Sequence, residues 1–469
     1  MTRSAQHGPT AAAGTARAAA LVLAAALGWH SPAARAEPAA PPDDLWHRDT
    51  MTGDWGGLRE SLVKQGITLG LMEQTEAWST LRDGIRRGAV YDGLTTATLK
   101  LDLDTIAGIP GLTFNVSAYQ IHGRGPTPNL VGNLQTVSNL EATRGNKLFD
   151  LYLEEEFPNT GLNLRIGQSG ANEEFMLVKS AAVLINSSFG FPALAAFGLP
   201  SSGPNYPLAT PMVRLRYKAT EQLTLMGGLY NGDPAGPGAT DPQLRDYTGT
   251  AFRLRDSVLG FAEIGYDVGS GDADGRPGTY KLGGWYHAGG FNDLLHDAQG
   301  LSLANPAGSG VPYRHRGDYA VYAVMDQTIW RPAGSKDRGV NVFALATAAP
   351  ADRNLSSLFI EAGLVWVGPC ESRDTDIVSL GVAYTNLSHA AQSLGSDLVR
   401  FGAASTPFKA SETVIELTYQ AAVTKWLLLQ PDVQYIINPG AGVPGIASNG
   451  KILPLKDAVA AGMRATITF

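Results

Sequence analysis

The stretch that constrains the fold most is the end of the chain, Thr413–Phe469, where apolar and polar residues alternate over segments long enough to cross a bilayer. In VIELTYQ and the residue before it, Thr413, Ile415, Leu417 and Tyr419 share one face, while Val414, Glu416, Thr418 and Gln420 share the other. LLLQPDVQYII sets Leu427, Leu429, Pro431, Val433, Tyr435 and Ile437 against Gln430, Asp432 and Gln434. AVAAGMRATITF sets Val459, Ala461, Met463, Ala465, Ile467 and Phe469 against Arg464, Thr466 and Thr468. Soluble strands alternate too, but they average about five or six residues, whereas these run to about ten and carry aromatic rings near their ends. The pattern implies a barrel with lipid outside and water inside. A terminal Phe469 is also the feature by which the barrel-assembly machinery would take up such a chain.

The beginning reads as a processing segment. Arg3 and Arg17 precede or flank the short apolar run AAALVLAAALG, and Ala34-Arg35-Ala36 supplies small residues at a cleavage site before Glu37. The expected organisation is a signal peptide over 1–36, an N-terminal periplasmic segment over 37–66, and a barrel over 67–469. Gly53–Gly66 is the one good helix candidate of the mature chain, with Asp54 as its cap, Leu58, Leu62 and Val63 on one face and Gly66 as its stop, acting as a periplasmic plug or skirt. Charged residues make up only 17% of the chain, which suits alternating strands around a polar lumen. The formal charge of −7 becomes −10 once Arg3, Arg17 and Arg35 are removed, which argues against a nucleic-acid partner. Cys370 is the only cysteine, so no internal disulfide forms.

From Ile67 onward the alternating segments number sixteen, an all-β, antiparallel transmembrane barrel. Thr250–Val268 is ambiguous because it divides at Arg255-Asp256-Ser257; reading it as one long strand with a bend or bulge keeps every short turn on the periplasmic side. The long connections Ser169–Pro211 and Ala288–Arg316 then lie outside.

TGDWGGLRESLVKQGITL, GDYAVYAVMDQTIWR, FIEAGLVWVGP and above all SETVIELTYQ with LLLQPDVQYIINPG resemble the carbohydrate-selective porin family, the OprB-like porins. The likeness runs over nearly the whole chain after the signal segment. It implies a sixteen-stranded bacterial outer-membrane channel for passive diffusion of small sugars into the periplasm, embedded in outer-membrane lipid and without a cofactor. A non-specific or anion-selective porin is the alternative, and an outer-membrane barrel enzyme the more distant one. The sequence does not choose between a single barrel and a homo-oligomer, nor name the sugar.

Alternation independently places polar rows inside: Lys100, Asp102 and Asp104; Arg214, Arg216 and Lys218; Arg253 and Arg255. A sugar channel needs flat apolar surfaces for pyranose CH faces and charged or amide groups that replace water on the hydroxyls, bound weakly enough to release. The expected constriction set is therefore Glu76, Arg214, Arg216, Arg253 and Glu416. Trp78 and Trp285 are either stacking rings in the lumen or members of the interfacial aromatic belt. The loop Ser169–Pro211, beginning ANEEFMLVKSAAVLINSS, either forms a short helix and folds inward, lining the pore with Glu173, Glu174 and Lys179, or lies on the surface.

Catalytic signals are absent from this reading. His287, His296 and His315 have no metal-site spacing, and Asp272–Gly275 lacks the later ligands of a calcium loop. No GxSxG elbow or phosphate-binding glycine loop occurs. No catalytic residue and no metal ligand is assigned.

Overall fold

A computed structural model describes residues 44–269, 275–335, 337–443 and 455–469. Of the two compact units of the chain, Met1–Asp44 and Leu45–Phe469, the first lies outside these residues except for Asp44. The expected signal segment, its cleavage site after Ala36 and the turn at Asp272 are outside them too.

The barrel is built from β1 (Ile67–Arg82), β2 (Gly88–Asp102), β3 (Leu112–Gly123), β4 (Gly145–Glu156), β5 (Leu162–Ser169), β6 (Thr210–Lys218), β7 (Leu223–Asn231) and β8 (Val258–Val268). It continues through β9 (Gly278–Asp297), β10 (Pro312–Trp330), β11 (Gly339–Ala348), β12 (Leu358–Val367), β13 (Ile377–Asn386), β14 (Ser411–Ala422), β15 (Leu427–Ile437) and β16 (Ala458–Thr468). Each strand pairs antiparallel with its neighbour in sequence, and β1 pairs with β16, so the sheet closes. The sixteen strands and their alternation are those expected. On the outer face Leu215, Leu225, Ile264, Leu282, Val321 and Leu364 stand exposed where lipid belongs, with Tyr217, Tyr266, Tyr280, Trp330 and Trp366 near the periplasmic ends of their strands.

The periplasmic turns are short and sterically exacting. Gly111 and Gly161 both have positive φ, and a Cβ on either would approach a backbone oxygen, that of Glu156 at 2.1 Å or of Lys218 at 2.5 Å. Helix α1 (Leu58–Lys64) packs against β1, and Gly66, at φ +82°, ends it. Arg59 lies 4.3 Å over the Trp55 ring and its Nη2 donates to the Phe469 carbonyl at 2.9 Å, so the helix is tied to the end of β16.

Three expectations about the strands are corrected. Asp104 does not extend the inward row of β2, because the strand ends at Asp102, which caps a helical turn over Leu103–Ala107. Thr250–Val268 is not one bent strand: β8 starts at Val258, because Phe252 takes φ +43° and Arg253 folds back onto Asp256, with Nε–Oδ2 2.8 Å and Nη2–Oδ1 2.6 Å. Arg253 and Arg255 therefore belong to a loop and not to an inward row, while the strand count is unchanged. Ala288–Arg316 is mostly strand rather than loop, since β9 and β10 run to 20 and 19 residues.

The wall is correspondingly uneven, with β5, β6 and β7 only 8, 9 and 9 residues long. The loop between β7 and β8, L4, compensates by latching onto the upper edge of β4. Leu148 N donates to Thr248 O at 2.9 Å, and the buried Lys147 ammonium donates to the carbonyls of Gln243, Asp246 and Tyr247 at 2.5–3.1 Å.

Candidate functional site

Two outer loops fold into the barrel: L2, residues 124–144 between β3 and β4, and L3, residues 170–209 between β5 and β6. L3 is the loop expected to fold inward, but it forms a series of short turns and one short helix (Ala193–Gly198), with no single helix at its start. The barrel wall holds it by carboxylates that accept backbone N–H groups. Glu263 of β8 accepts from Met176 N at 3.3 Å, Asp326 of β10 from Ser180 N at 2.7 Å, and Glu416 of β14 from Ile185 N and Asn186 N at 2.5 and 2.9 Å. Nearer the rim, at the start of β14, Glu412 accepts from Leu134 N and Gln135 N of L2 at 2.7 and 2.8 Å. Such charge-assisted bonds are worth about 1.5–3 kcal/mol each, and they orient loops that would otherwise present unsatisfied amides.

Apolar packing completes the seat. Phe175, Phe189, Phe191 and Leu194 of L3 are buried against Phe261, Trp285, Tyr322 and Phe343 of the wall. L3 therefore covers the β7–β13 side, and the passage runs past β16, β1 and β3, where a cavity of about 540 Å³ is bordered by Gln74, Tyr119, Ser138, Asn139, Tyr206 and Arg464.

Arg464 is the organising charge there: it is itself buried, at 6% exposure, and unlike Glu76, Arg214 and Glu416 it borders the cavity. It forms an ion pair with Glu76, whose other oxygen accepts from Trp78 Nε1 at 2.7 Å, and it donates from Nη2 to Asn139 Oδ1 at 2.6 Å and Ser138 Oγ at 3.3 Å. Glu141, in L2 at the same cavity, accepts from Thr127 N, Thr127 Oγ1 and Ser138 N at 2.7–3.0 Å. Burial pushes its carboxyl up to about 7 in spite of those donors, with the charge of Glu76 adding to the rise. The site thus combines amides, hydroxyls, two tyrosine rings and one guanidinium, which suits reversible hydrogen bonding to an uncharged polyhydroxylated solute.

The sequence-predicted site residues divide sharply. Glu76, Arg214 and Glu416 do point inward, but each is buried and engaged by protein. Arg214 pairs with Glu154 at 2.8 Å and with Glu174 at 3.0 Å, and Arg165, 4.0 Å over the Tyr152 ring, joins the same carboxylates. Glu174 therefore ties the start of L3 to β5 and β6. Arg216 is inward and solvated, 3.4 Å from Glu156. Glu173 accepts from Ser169 Oγ at 3.1 Å, and burial together with nearby Asp150 pushes it up to about 8. Lys179 is exposed and borders a separate recess of about 500 Å³ with Asp326, Asn341 and Gln420.

Three assignments are corrected. Arg253 is in L4 and faces Asp256, as described above. Trp78 and Trp285 point inward, which removes them from the interfacial belt, yet loops cover both rings: Trp78 packs with Leu130, Val131 and Ile185 at 1% exposure and Trp285 beneath L3 at 3%, leaving neither face open for stacking. The residues missed are those of L2, Ser138, Asn139 and Glu141, and Arg464. Alternation had already marked Arg464 as the one cation on the inward face of β16; nothing in the sequence marked L2.

A family profile described as "Carbohydrate-selective porin, OprB family" matches residues 86–469. "Porin B" of Pseudomonas aeruginosa is 25% identical over 445 residues, covering 88% of this chain and 91% of that one. "Putative porin QuiX" of Acinetobacter baylyi is 22% identical over 441 residues, covering 86% and 91%. Among solved structures, the high-pH form of Pseudomonas putida OprB superposes with TM-score 0.79 at 21% identity, covering 90% of this chain and 99% of that one, a likeness of fold.

Proposed function

The chain belongs to the carbohydrate-selective porin family, OprB, and from that premise we infer that the cavity between L2 and L3 beside Arg464 is where a sugar in transit exchanges water for protein hydrogen bonds. The protein is an outer-membrane channel for the diffusion of carbohydrates and not an enzyme. The observation that supports this placement is the cavity itself, narrowed by two inward loops and bordered by amides, hydroxyls and a guanidinium whose geometry is fixed by Glu76 and Asn139. Hydrogen bonds to these groups are made in exchange for bonds to water, so each is weak in net terms and releases readily, as diffusion requires. Glu76, Arg214 and Glu416 act one step back, as positioning residues that hold Arg464, L3 and the pore shape.

The inward arginines do not favour an anion channel. Arg165, Arg214, Arg216 and Arg464 each pair with a carboxylate, so they offer no row of free positive charge. At the end of β16, Phe469 N donates to Leu71 O at 2.9 Å, which extends the seam between the last strand and the first; uptake by the barrel-assembly machinery through Phe469 belongs to the same reading. Association of copies through the outer wall belongs to the same reading.

Liposome swelling with the mature protein and a panel of mono-, di- and trisaccharides tests the assignment. Entry of small sugars with a steep fall on lengthening supports it. Equal rates for all three classes, or none, would remove it.

A further inference from the structure

The outer wall carries a furrow on β7–β10, on the side away from the seam between β1 and β16. It has a volume of about 530 Å³, and its floor is made of the small residues Gly260, Ala262, Gly284 and Ala288. Leu229, opposite Gly260 on β7, leans over one side, and Tyr286 and Tyr319, opposite each other on β9 and β10, stand on the other. At the head of the furrow β9 and β10 continue upward, with Gly290 opposite Arg316 and Asn292 opposite Arg314. Exposure along β9 alternates unbroken from Trp285 and His287, buried and inward, to Gly290 and Asn292, exposed and outward. Both arginines therefore stand on the outer face, and the Arg314 side chain lies across Gly290, where a Cβ would meet its Nε at 2.5 Å. Both are exposed, and neither side chain makes an ion pair or a hydrogen bond among the described residues. The inner face of the same hairpin is closed by its own pair, with His315 Nε2 2.8 Å from Asp293 Oδ2.

Height in the membrane gives these charges a meaning. From Tyr280, near the periplasmic end of β9, to Gly290, about 3.3 Å per residue along a strand tilted by about 40° makes a climb of about 25 Å, the height of the apolar band. Arg316 and Arg314 thus stand where lipid phosphates begin. We propose that the furrow holds one phosphorylated glycolipid of the outer leaflet, with an acyl chain over Gly260, Ala262 and Gly284 and a phosphate against Arg314 and Arg316. An acyl chain gains no hydrophobic energy by leaving other acyl chains, so it contributes only the close packing that small residues allow. The phosphate supplies the selectivity, because two guanidiniums without carboxylate partners form charge-assisted, bidentate bonds to it. Tyr286 completes the seat: its ring leans towards Gly317, where φ is +71° and a Cβ would lie 2.5 Å from the hydroxyl, so the polar tip is turned up to the headgroup layer. A second copy of the chain, brought to this face by a two-fold axis, would set the arginines against their own images, whereas an anionic lipid neutralises them.

Native mass spectrometry of the mature protein in mild detergent, with added diphosphoryl lipid A, tests the proposal. The wild type is expected to hold one lipid per barrel, and lipid A with both phosphates removed to bind at least tenfold more weakly. Arg314→Gln/Arg316→Gln should weaken binding of the phosphorylated lipid at least tenfold. Ala262→Leu, which fills the floor without touching the charges, should weaken it at least threefold. Heat-modifiable migration reports that each variant barrel closes, and Arg82→Gln, at the end of β1 on the far wall, keeps wild-type binding. No lipid on the wild type, equal binding of the two lipids, equal binding by either folded variant, or a second copy of the chain in place of the lipid would overturn it. The identity of the solute in the lumen does not enter: liposome swelling should be the same in the wild type and the double variant, because both arginines lie outside the pore.

Discussion

Arg464 on the last strand and Glu76 on the first are paired across the seam where the barrel closes, and the pair aims the guanidinium at the sugar cavity. One contact thereby joins the two ends of the barrel, fixes Asn139 of L2 at 2.6 Å and orients a cation at the edge of the cavity.

Replacing Arg464 with Ala should weaken sugar block of ion current by about tenfold, equivalent to about 1.4 kcal/mol, since a charge-assisted bond is lost. Glu76 would also be left buried without its partner, a change that typically costs about 3–5 kcal/mol. Urea unfolding in detergent should show that loss, and Glu76→Gln/Arg464→Met should recover part of the stability without recovering block.

Glu416→Ala removes the acceptor for the Ile185 and Asn186 amides and should free the middle of L3. Single-channel conductance is expected to rise, and larger sugars to enter in swelling assays. Glu416→Gln, which keeps one acceptor oxygen, should fall between Ala and wild type. An unchanged conductance in Glu416→Ala would show that apolar packing alone holds the loop.

Raising the pH should make the channel more cation-selective. Glu141 and Glu173 are pushed up by burial to about 7 and about 8, so both are neutral in mildly acidic solution and become anionic as pH rises through those values. Because the folded chain holds these protons more tightly than the unfolded one, their contribution to stability is full below the ordinary carboxyl value and declines as pH climbs towards 7–8. Reversal potentials measured from pH 6 to 9 should shift towards cations, and Glu141→Gln/Glu173→Gln should flatten the shift.

Arg253→Ala should leave sugar flux and ion selectivity unchanged, because its guanidinium faces Asp256 in L4. Trp285→Phe should lower stability with little effect on sugar block, since the ring serves as a seat for L3. A selective change in block by either variant would place it back in the pathway.

Much of this architecture is legible by alternation, because lipid on one side and water on the other sort residues at every second position. That rule correctly turns Glu76, Arg214, Arg216 and Glu416 inward. It fails over 250–257, where an apolar-polar pattern continues through Phe252 and Leu254 but a local Arg253–Asp256 ion pair ends the strand. Nor does facing inward reveal what a side chain touches. Glu416 reads as a lumen carboxylate, and only the folded chain brings Ile185 and Asn186 to it from 230 or more positions away. Trp78 and Trp285 fail for the same reason: alternation knows the wall but not the loops laid over it.

The most direct test is titration of a small neutral sugar against ion current through single wild-type and Arg464→Ala channels in a planar bilayer. Saturable block at millimolar sugar in the wild type, weakened about tenfold in the variant at comparable conductance, is the expected result. Current insensitive to sugar in the wild type, or equal block in both, would contradict passage beside Arg464.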